Sequence, residues 1–203
     1  ASRLWGKPLI ARCGYMLSEF VSRDGSASRE KREAVSRLEG RVFGSASRVV
    51  VTTEAMRDGL EARYPGMSDK TRVIPNYVDT ELFSEGRPDG RDEGRVVFVG
   101  RLNEQKNLLS LIHAIRETPF RLDIYGEGEQ EAELREAAAG CERVRFHGRR
   151  PGEALPEIYR SAGVFVLPSR YEGHPKTLIE AMACGAPVIG SDAPGISNVI
   201  RHG

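Results

Sequence analysis

The 203-residue chain lacks long apolar runs. None approaches the roughly 20 residues that a helix needs to cross a bilayer, so no integral membrane segment is expected. Cysteine is scarce. Cys13, Cys141 and Cys184 are far apart and odd in number, and no CxxC pair occurs. That pattern argues against a disulfide framework and a structural zinc site, and it fits a reducing, cytoplasmic setting with no metal. An excess of charge of one sign is also missing. The 30 basic and 29 acidic residues leave a net charge of +1. No strong field remains to hold nucleic acid or an anionic membrane. The opening Ala1-Ser2-Arg3-Leu4-Trp5-Gly6 has no initiator Met and does not resemble a signal peptide. The chain stops at Asn198-Val199-Ile200-Arg201-His202-Gly203 without a terminating feature, so both ends are expected to be cut.

What is present is an ordinary globular balance, 39% hydrophobic and 29% charged, which supports a buried core. Pro8–Arg12 is expected as a strand, and residues 28–43 as a helix with Val35, Leu38 and Val42 on its apolar face. Arg48–Thr52 is a β-branched strand. Thr52 or Thr53 can cap a helix over 54–64, which Pro65-Gly66 ends, and a short strand follows at Arg72–Asn76. Residues 85–94 are polar, with three glycines and a proline, and are expected as a linker between a first domain over 1–84 and a second over 95–203. Beyond it strands are expected at 96–100, 120–125, 144–147, 164–167 and 187–190. Helices alternate with them at 108–117, 130–139, 154–161 and 177–184. Such alternation implies an α/β fold with a parallel sheet and helices on both faces. Ligands then bind at the carboxyl ends of the strands.

Three loops at such ends carry candidate chemistry. In Gly100-Arg101-Leu102-Asn103-Glu104-Gln105-Lys106-Asn107 the glycine permits close approach, and Arg101 and Lys106 can grip a phosphate. The same loop also fits a solvated turn. Tyr125-Gly126-Glu127-Gly128-Glu129 places two glycines after a strand but lacks the third glycine of a dinucleotide fingerprint, which disfavours a nicotinamide-dependent oxidoreductase. The third loop is the most informative. Pro168–Gly185 contains Glu172 and Glu180, with seven residues between them. Pro175 suits a helix start and Gly185 a helix end. Free N–H groups between Gly173 and Thr177 would face an anion, and Glu180 could accept from neighbouring hydroxyls as a ribose requires. A Lys176–Glu180 pair at i,i+4 is the plain alternative. Leu178, Ile179 and Met182 are expected in the core.

The stretch from Glu172-Gly173 through Leu178-Ile179-Glu180-Ala181-Met182-Ala183-Cys184-Gly185 to Ile189 resembles the E-x7-E signature of family 4 glycosyltransferases, which have the GT-B fold. Val97–Leu102 with Lys106-Asn107 is similar to that family's G-R-x4-K diphosphate loop. Ile124–Gly128 resembles its G-x-G element, and Val144–Gly148 the strand whose following loop lies beside the base. Val73–Asp79 resembles the V-I-P-N-G-V-D crossing between domains, with Tyr77 in place of the glycine. The elements run in the family's order over roughly residues 45–203. The resemblance implies a Rossmann-like donor domain preceded by the latter part of a Rossmann-like first domain. It implies transfer of a sugar from a nucleotide diphosphate, UDP- or GDP-linked, with retention of configuration and no cofactor or metal, as in polysaccharide biosynthesis. The acceptor would be a glycan, a lipid-linked sugar or a small molecule.

On this resemblance Arg101, Lys106 and Glu172 would be catalytic. The donor would be bound by Gly100, Gly126, Gly128, Gly173, His174, Pro175, Lys176, Thr177, Leu178 and Glu180. The cytoplasmic protein would either be free or lie at the inner face of the membrane. The family's early glycine-rich loop, its early catalytic histidine and its terminal helix are absent from the sequence, and His113, His147, His174 and His202 are not obvious substitutes. The alternatives are a sugar-nucleotide epimerase of the same fold and an inactive nucleotide-binding or scaffold module.

Overall fold

A computed structural model of the chain describes residues 6–23, 27–86 and 90–201. The opening residues 1–5, part of the expected linker (87–89) and His202 with Gly203 lie outside the described residues. The chain forms two compact units, Ala1–Asn76 and Tyr77–Gly203.

The first unit is a parallel sheet in the order β1 (Ile10–Cys13), β2 (Arg48–Val51), β3 (Thr71–Val73). Helices α1 (Leu17–Arg23) and α2 (Arg29–Ser45) connect the first two strands, and α3 (Glu54–Arg63) the last two. Thr53 caps α3, its hydroxyl accepting from Met56 N at 3.2 Å. β3 ends at Val73 rather than Asn76. Ile74 N still donates to Val51 O at 2.8 Å, but Pro75 has no N–H to continue the ladder. Val49, Val51, Leu60 and Phe43 fill the core.

The face of α2 differs from the one its apolar spacing suggests. Leu38 is 60% and Val42 42% exposed, whereas Glu39 and Phe43 are buried. The cause is α1, which the sequence pattern does not announce. The Glu39 carboxylate accepts from Leu17 N at 2.7 Å, from the Ser18 hydroxyl and from Tyr64 Oη at 2.9 Å. It thus satisfies orphan donors at the start of α1 and turns that side of α2 inward.

The second unit is a five-stranded parallel sheet in the order β6–β5–β4–β7–β8. Its strands are β4 (Asp92–Val99), β5 (Arg121–Tyr125), β6 (Val144–Phe146), β7 (Ala162–Leu167) and β8 (Val188–Gly190). The central run Val96-Val97-Phe98-Val99 is buried throughout, as a strand covered on both faces must be. Helices α4 (Leu108–Arg116), α5 (Glu131–Ala137), α6 (Leu155–Arg160) and α7 (Lys176–Ala183) make the crossovers. α4 buries Leu108, Leu111, Ile112 and Ile115, a spacing of three and four that makes one helical stripe. The chain winds outward from β4 through β5 to β6, then returns to the other side for β7 and β8. Right-handed crossovers therefore place α4 with α5 on one face and α6 with α7 on the other, and each pair packs together.

The division between units falls at Asn76/Tyr77, ahead of the expected linker over 85–94. Residues before that linker fold with the second unit. Phe83 is buried there, its ring centroid 6.2 Å from that of Tyr159, and Arg160 Nε donates to Ser84 O at 2.8 Å. β4 already begins inside the expected linker, with Asp92 in register with Ala162. A polar, glycine-rich composition cannot distinguish a free linker from a strand start that is paired only through its backbone.

Glu39→Ala is expected to destabilise the first unit by about 2–3 kcal/mol, because it orphans several donors to a charged acceptor. Leu38→Ala should change stability by less than about 0.5 kcal/mol. Urea unfolding of both variants checks this. A larger loss for Leu38→Ala would restore the apolar-spacing reading of α2.

Candidate functional site

The winding reverses direction at β4, so the loops after β4 and β7 part from neighbouring strands and leave a crevice at their carboxyl ends. These loops are tied together there. Arg170 N donates to Gln105 O at 2.9 Å, Gln105 Nε2 to Tyr171 O at 2.8 Å and Arg170 Nη1 to Glu104 Oε1 at 2.6 Å. Lys106 Nζ meets Glu172 Oε1 at 2.5 Å, with only 15% and 9% of the two side chains exposed. Glu172 is held from behind as well, since its N–H donates to Pro194 O at 2.9 Å. Gly195 turns at φ +85° with no room for a Cβ, which would lie 2.1 Å from Glu172 O.

A second wall forms where the loops after β4 and β5 press backbone to backbone. Gly100 N donates to Tyr125 O at 3.0 Å and Leu102 N to Glu127 O at 2.9 Å. A Cβ on Gly126 would sit 1.8 Å from Gly100 O, and one on Gly128 2.2 Å from Leu102 O. In the structure these two glycines therefore serve chain-to-chain contact first. A cleft of about 400 Å³ opens beside them, lined by Gly100, Arg101, Gly126, Glu127, Arg149 and Arg150 among others. Arg101, Arg149 and Arg150 are exposed, and against one acidic lining residue they make the cleft anion-attracting.

Of the three catalytic candidates, Lys106 and Glu172 are thus brought together as an ion pair, while Arg101 stands in the neighbouring arginine cleft. The donor-binding candidates separate by what each can offer. Gly173 and Pro175 lead into α7, which opens with no side-chain cap. The N–H groups of Lys176, Thr177 and Leu178 lie in its first turn, where a helix has no internal acceptors for them. The Leu178 side chain is wholly buried in the core, so it can contribute only its backbone. Lys176 is exposed, its Nζ 4.0 Å from Glu180 Oε1. His174 is half-buried, and burial lowers its pKa. Met182, expected in the core, is 41% exposed near the end of α7.

Glu180 faces inward. Tyr159 Oη donates to its Oε2 at 3.0 Å inside the hydrophobic core. Burial raises its carboxyl above the usual 4.5, against the lowering effects of the Tyr159 hydrogen bond and Lys176.

The Val144–Gly148 resemblance covers His147 and points to the following loop, which carries Arg149 and Arg150, but it assigns no role to these side chains, nor does any motif to Arg95 or Asp123. The signal available was an aspartate between the apolar Leu122 and Ile124 of a strand, and a pair of arginines directly after Gly148. Among the described residues no three His, Cys, Asp or Glu side chains gather to hold a metal, and no helix is long and apolar enough to cross a membrane.

A doubly wound parallel sheet with cationic loops and a helix start at its switch point places the second unit in the doubly wound α/β class. Comparison with known proteins narrows that class. A family model described as glycosyl transferases group 1 matches residues 93–203, and one described as glycosyltransferase family 4 matches residues 2–82. The chain belongs to this glycosyltransferase family, and its fold is of GT-B type. It is 29% identical to a D-inositol 3-phosphate glycosyltransferase of Pseudarthrobacter chlorophenolicus, over 100% of the chain and 53% of that protein. It is 32% identical to the amylovoran biosynthesis glycosyltransferase AmsD of Erwinia amylovora, over 95% of the chain and 57% of that protein. The chain spans about half the length of the curated relatives it matches. Among solved structures it resembles HepE of Anabaena in complex with UDP-glucose, with a TM-score of 0.84 and 22% identity over 99% of the chain and 58% of that protein. It also resembles a sucrose-phosphate synthase of Thermosynechococcus elongatus, with a TM-score of 0.75 and 28% identity over 95% of the chain and 52% of that protein.

The raised carboxyl of Glu180 has a consequence for pH. A carboxyl whose folded pKa is raised adds stability below the unfolded value, near 4.5, and loses it as pH rises through the folded value. Glu180→Gln is therefore expected to gain in thermal midpoint over the parent as pH rises from about 4 to 8. A gap that stays constant over this range would mean that Glu180 is as well solvated as an ordinary carboxylate.

Proposed function

We propose that the chain is the donor-holding part of a glycosyltransferase that moves a sugar from a nucleoside-diphosphate sugar to an acceptor hydroxyl with retention of configuration. The observation that carries this reading is the convergence of Arg101, Arg149 and Arg150 on one cleft at the carboxyl end of a doubly wound sheet. The loop after β4 that forms this wall continues through Lys106 to the loop preceding α7. A diphosphate is the dianionic, multi-oxygen ligand that such forks and free N–H groups recognise.

In this reading Arg101 and the first-turn N–H groups of α7 stabilise the negative charge that develops on the diphosphate as the sugar–oxygen bond breaks. Lys106, already positioned by Glu172, shifts towards the same oxygens when the donor enters. Glu172 and the backbone at Gly173–Pro175 orient the transferred sugar. The second oxygen of Glu180, the one not bonded to Tyr159, accepts from a ribose hydroxyl. UDP is the favoured carrier, on the likeness in fold to a protein solved with UDP-glucose, and GDP is the alternative. The acceptor is a glycan, a lipid-linked sugar or a small molecule. We place the protein in the cytoplasm, free or at the inner membrane face, a setting that suits its free thiols.

Calorimetric titration of the chain with UDP, GDP and ADP tests the reading. Saturable binding of UDP is expected, with Arg101→Ala weakening it about 10- to 100-fold, the loss of charge-assisted hydrogen bonds. Glu180→Ala should weaken it less. A folded chain that binds none of the three would overturn the donor role.

A further inference from the structure

Apart from the residues given a catalytic or donor-binding role, the second unit contains a cluster of polar groups whose burial needs a reason. Arg95, at the exposed start of β4, turns inward with 12% of its side chain exposed and spends its whole guanidinium on three partners. Its Nε donates to Asp123 Oδ2 at 2.6 Å, its Nη1 to Ser161 Oγ at 2.5 Å and its Nη2 to Tyr125 Oη at 2.7 Å. The other Asp123 oxygen, Oδ1, lies 3.0 Å from His147 Nε2. The His147 ring stacks on Tyr125, with centroids 4.5 Å apart and 13° between planes. Register explains the meeting. Arg95 pairs with Arg121 and Val97 with Asp123, so Arg95, Asp123 and Tyr125 stand on one face of the sheet, and His147 follows the end of the adjacent β6.

Burial alone would push the Asp123 carboxyl up. The His147 hydrogen bond and the Arg95 guanidinium outweigh it and hold the carboxyl below its ordinary value, so the aspartate is ionised and the ring N–H donates to it. Buried charges of this kind are weak sources of stability, because desolvation cancels most of the attraction. Their effect is geometric. One end of the group, Tyr125, lines the arginine cleft, and the other, His147, is two residues from it. Tyr125 precedes Gly126 and Glu127, while His147 precedes Gly148, Arg149 and Arg150. The two walls are also joined directly, Gly126 N donating to Gly148 O at 2.9 Å.

Building on the donor-site reading above, we propose that Asp123, through His147 and through Arg95 with Tyr125, is a positioning residue that fixes the loops after β5 and β6 at the separation a nucleoside diphosphate needs between Gly126 and Arg149–Arg150. The Asp123–His147 bond links strands β5 and β6, and the Arg95 fork links β4 to β5. Misplacement of a wall by even 1 Å is costly for a ligand held by several directed hydrogen bonds.

The test compares His147→Ala, His147→Gln and Val97→Ala in the full chain, with two readouts: calorimetric affinity for UDP and amide hydrogen exchange. Val97 is a buried neighbour on the same sheet face that makes no polar contact, so it controls for loss of packing. His147→Ala is expected to raise the Kd for UDP about tenfold or more and to speed exchange at residues 126–127 and 148–150. His147→Gln, which returns an N–H donor towards Asp123, should recover most of both. Val97→Ala should lower the melting temperature with UDP affinity kept within about twofold, because it removes packing beside Asp123 but no member of the hydrogen-bonded group. Unchanged affinity and exchange in His147→Ala would overturn the proposal, as would an equal loss of affinity in Val97→Ala. If the parent chain binds no UDP, the donor reading fails, and the exchange comparison decides the positioning role on its own: no acceleration at those amides rejects it.

Discussion

Lys106 and Glu172 meet as a buried ion pair where the loops after β4 and β7 converge, and much of the site's geometry follows from that meeting. Removing either partner would leave a charge in a place with little water, at a cost of about 3–5 kcal/mol for a pair of this kind. The pair therefore adds little net stability yet strongly disfavours any arrangement that separates its members. It locks the 100–107 loop onto the segment that leads into α7. The turn at Gly195 presses on the Glu172 carbonyl from the other side and leaves that loop little freedom.

The ion pair also decides where the available positive charge lies. Lys106 is neutralised at rest, whereas Arg101, Arg149 and Arg150 are exposed around a cleft one strand away. An incoming anion would be met first by the arginines, whose planar forks suit phosphate oxygens, and would then compete with Glu172 for the lysine. The glycines beside them allow this crowding. Gly126 and Gly128 let two backbones approach closer than any side chain would permit, so the loops after β4 and β5 form one continuous wall. In both units polar groups are buried where they fix a loop or a helix start. Glu39 does so for α1, as Glu172 does for the segment before α7.

Much of the fold was legible in the sequence because strand and helix periods are local. The apolar run Val96–Val99, the stripe Leu108, Leu111, Ile112 and Ile115, the cap at Thr53 and the helix-starting Pro175 all lie within a few residues of what they specify. The readings that failed depended on neighbours distant in sequence. Leu38 and Val42 have a helical apolar spacing, yet α2 buries Glu39 because α1 brings it donors from residues 17 and 18. Met182 lies one turn beyond Leu178 in α7, yet Leu178 is wholly buried and Met182 is 41% exposed.

The sequence by itself determined the order of the strands and of every helix except α1, the loops in which cations and glycines fall, and the motif spacing that marks the family, because each of these is written in consecutive residues. Tertiary structure alone decided which of those residues meet. Lys106 and Glu172 are 66 positions apart and touch only because β7 lies beside β4. Glu180 has Tyr159 for a partner only because α6 and α7 share one face. Asp123 serves as an anchor rather than a lone buried charge only because parallel register puts Arg95 on one side and His147 on the other. A strand's side-chain period is fixed by its own backbone, but its neighbours are chosen by how the whole chain winds.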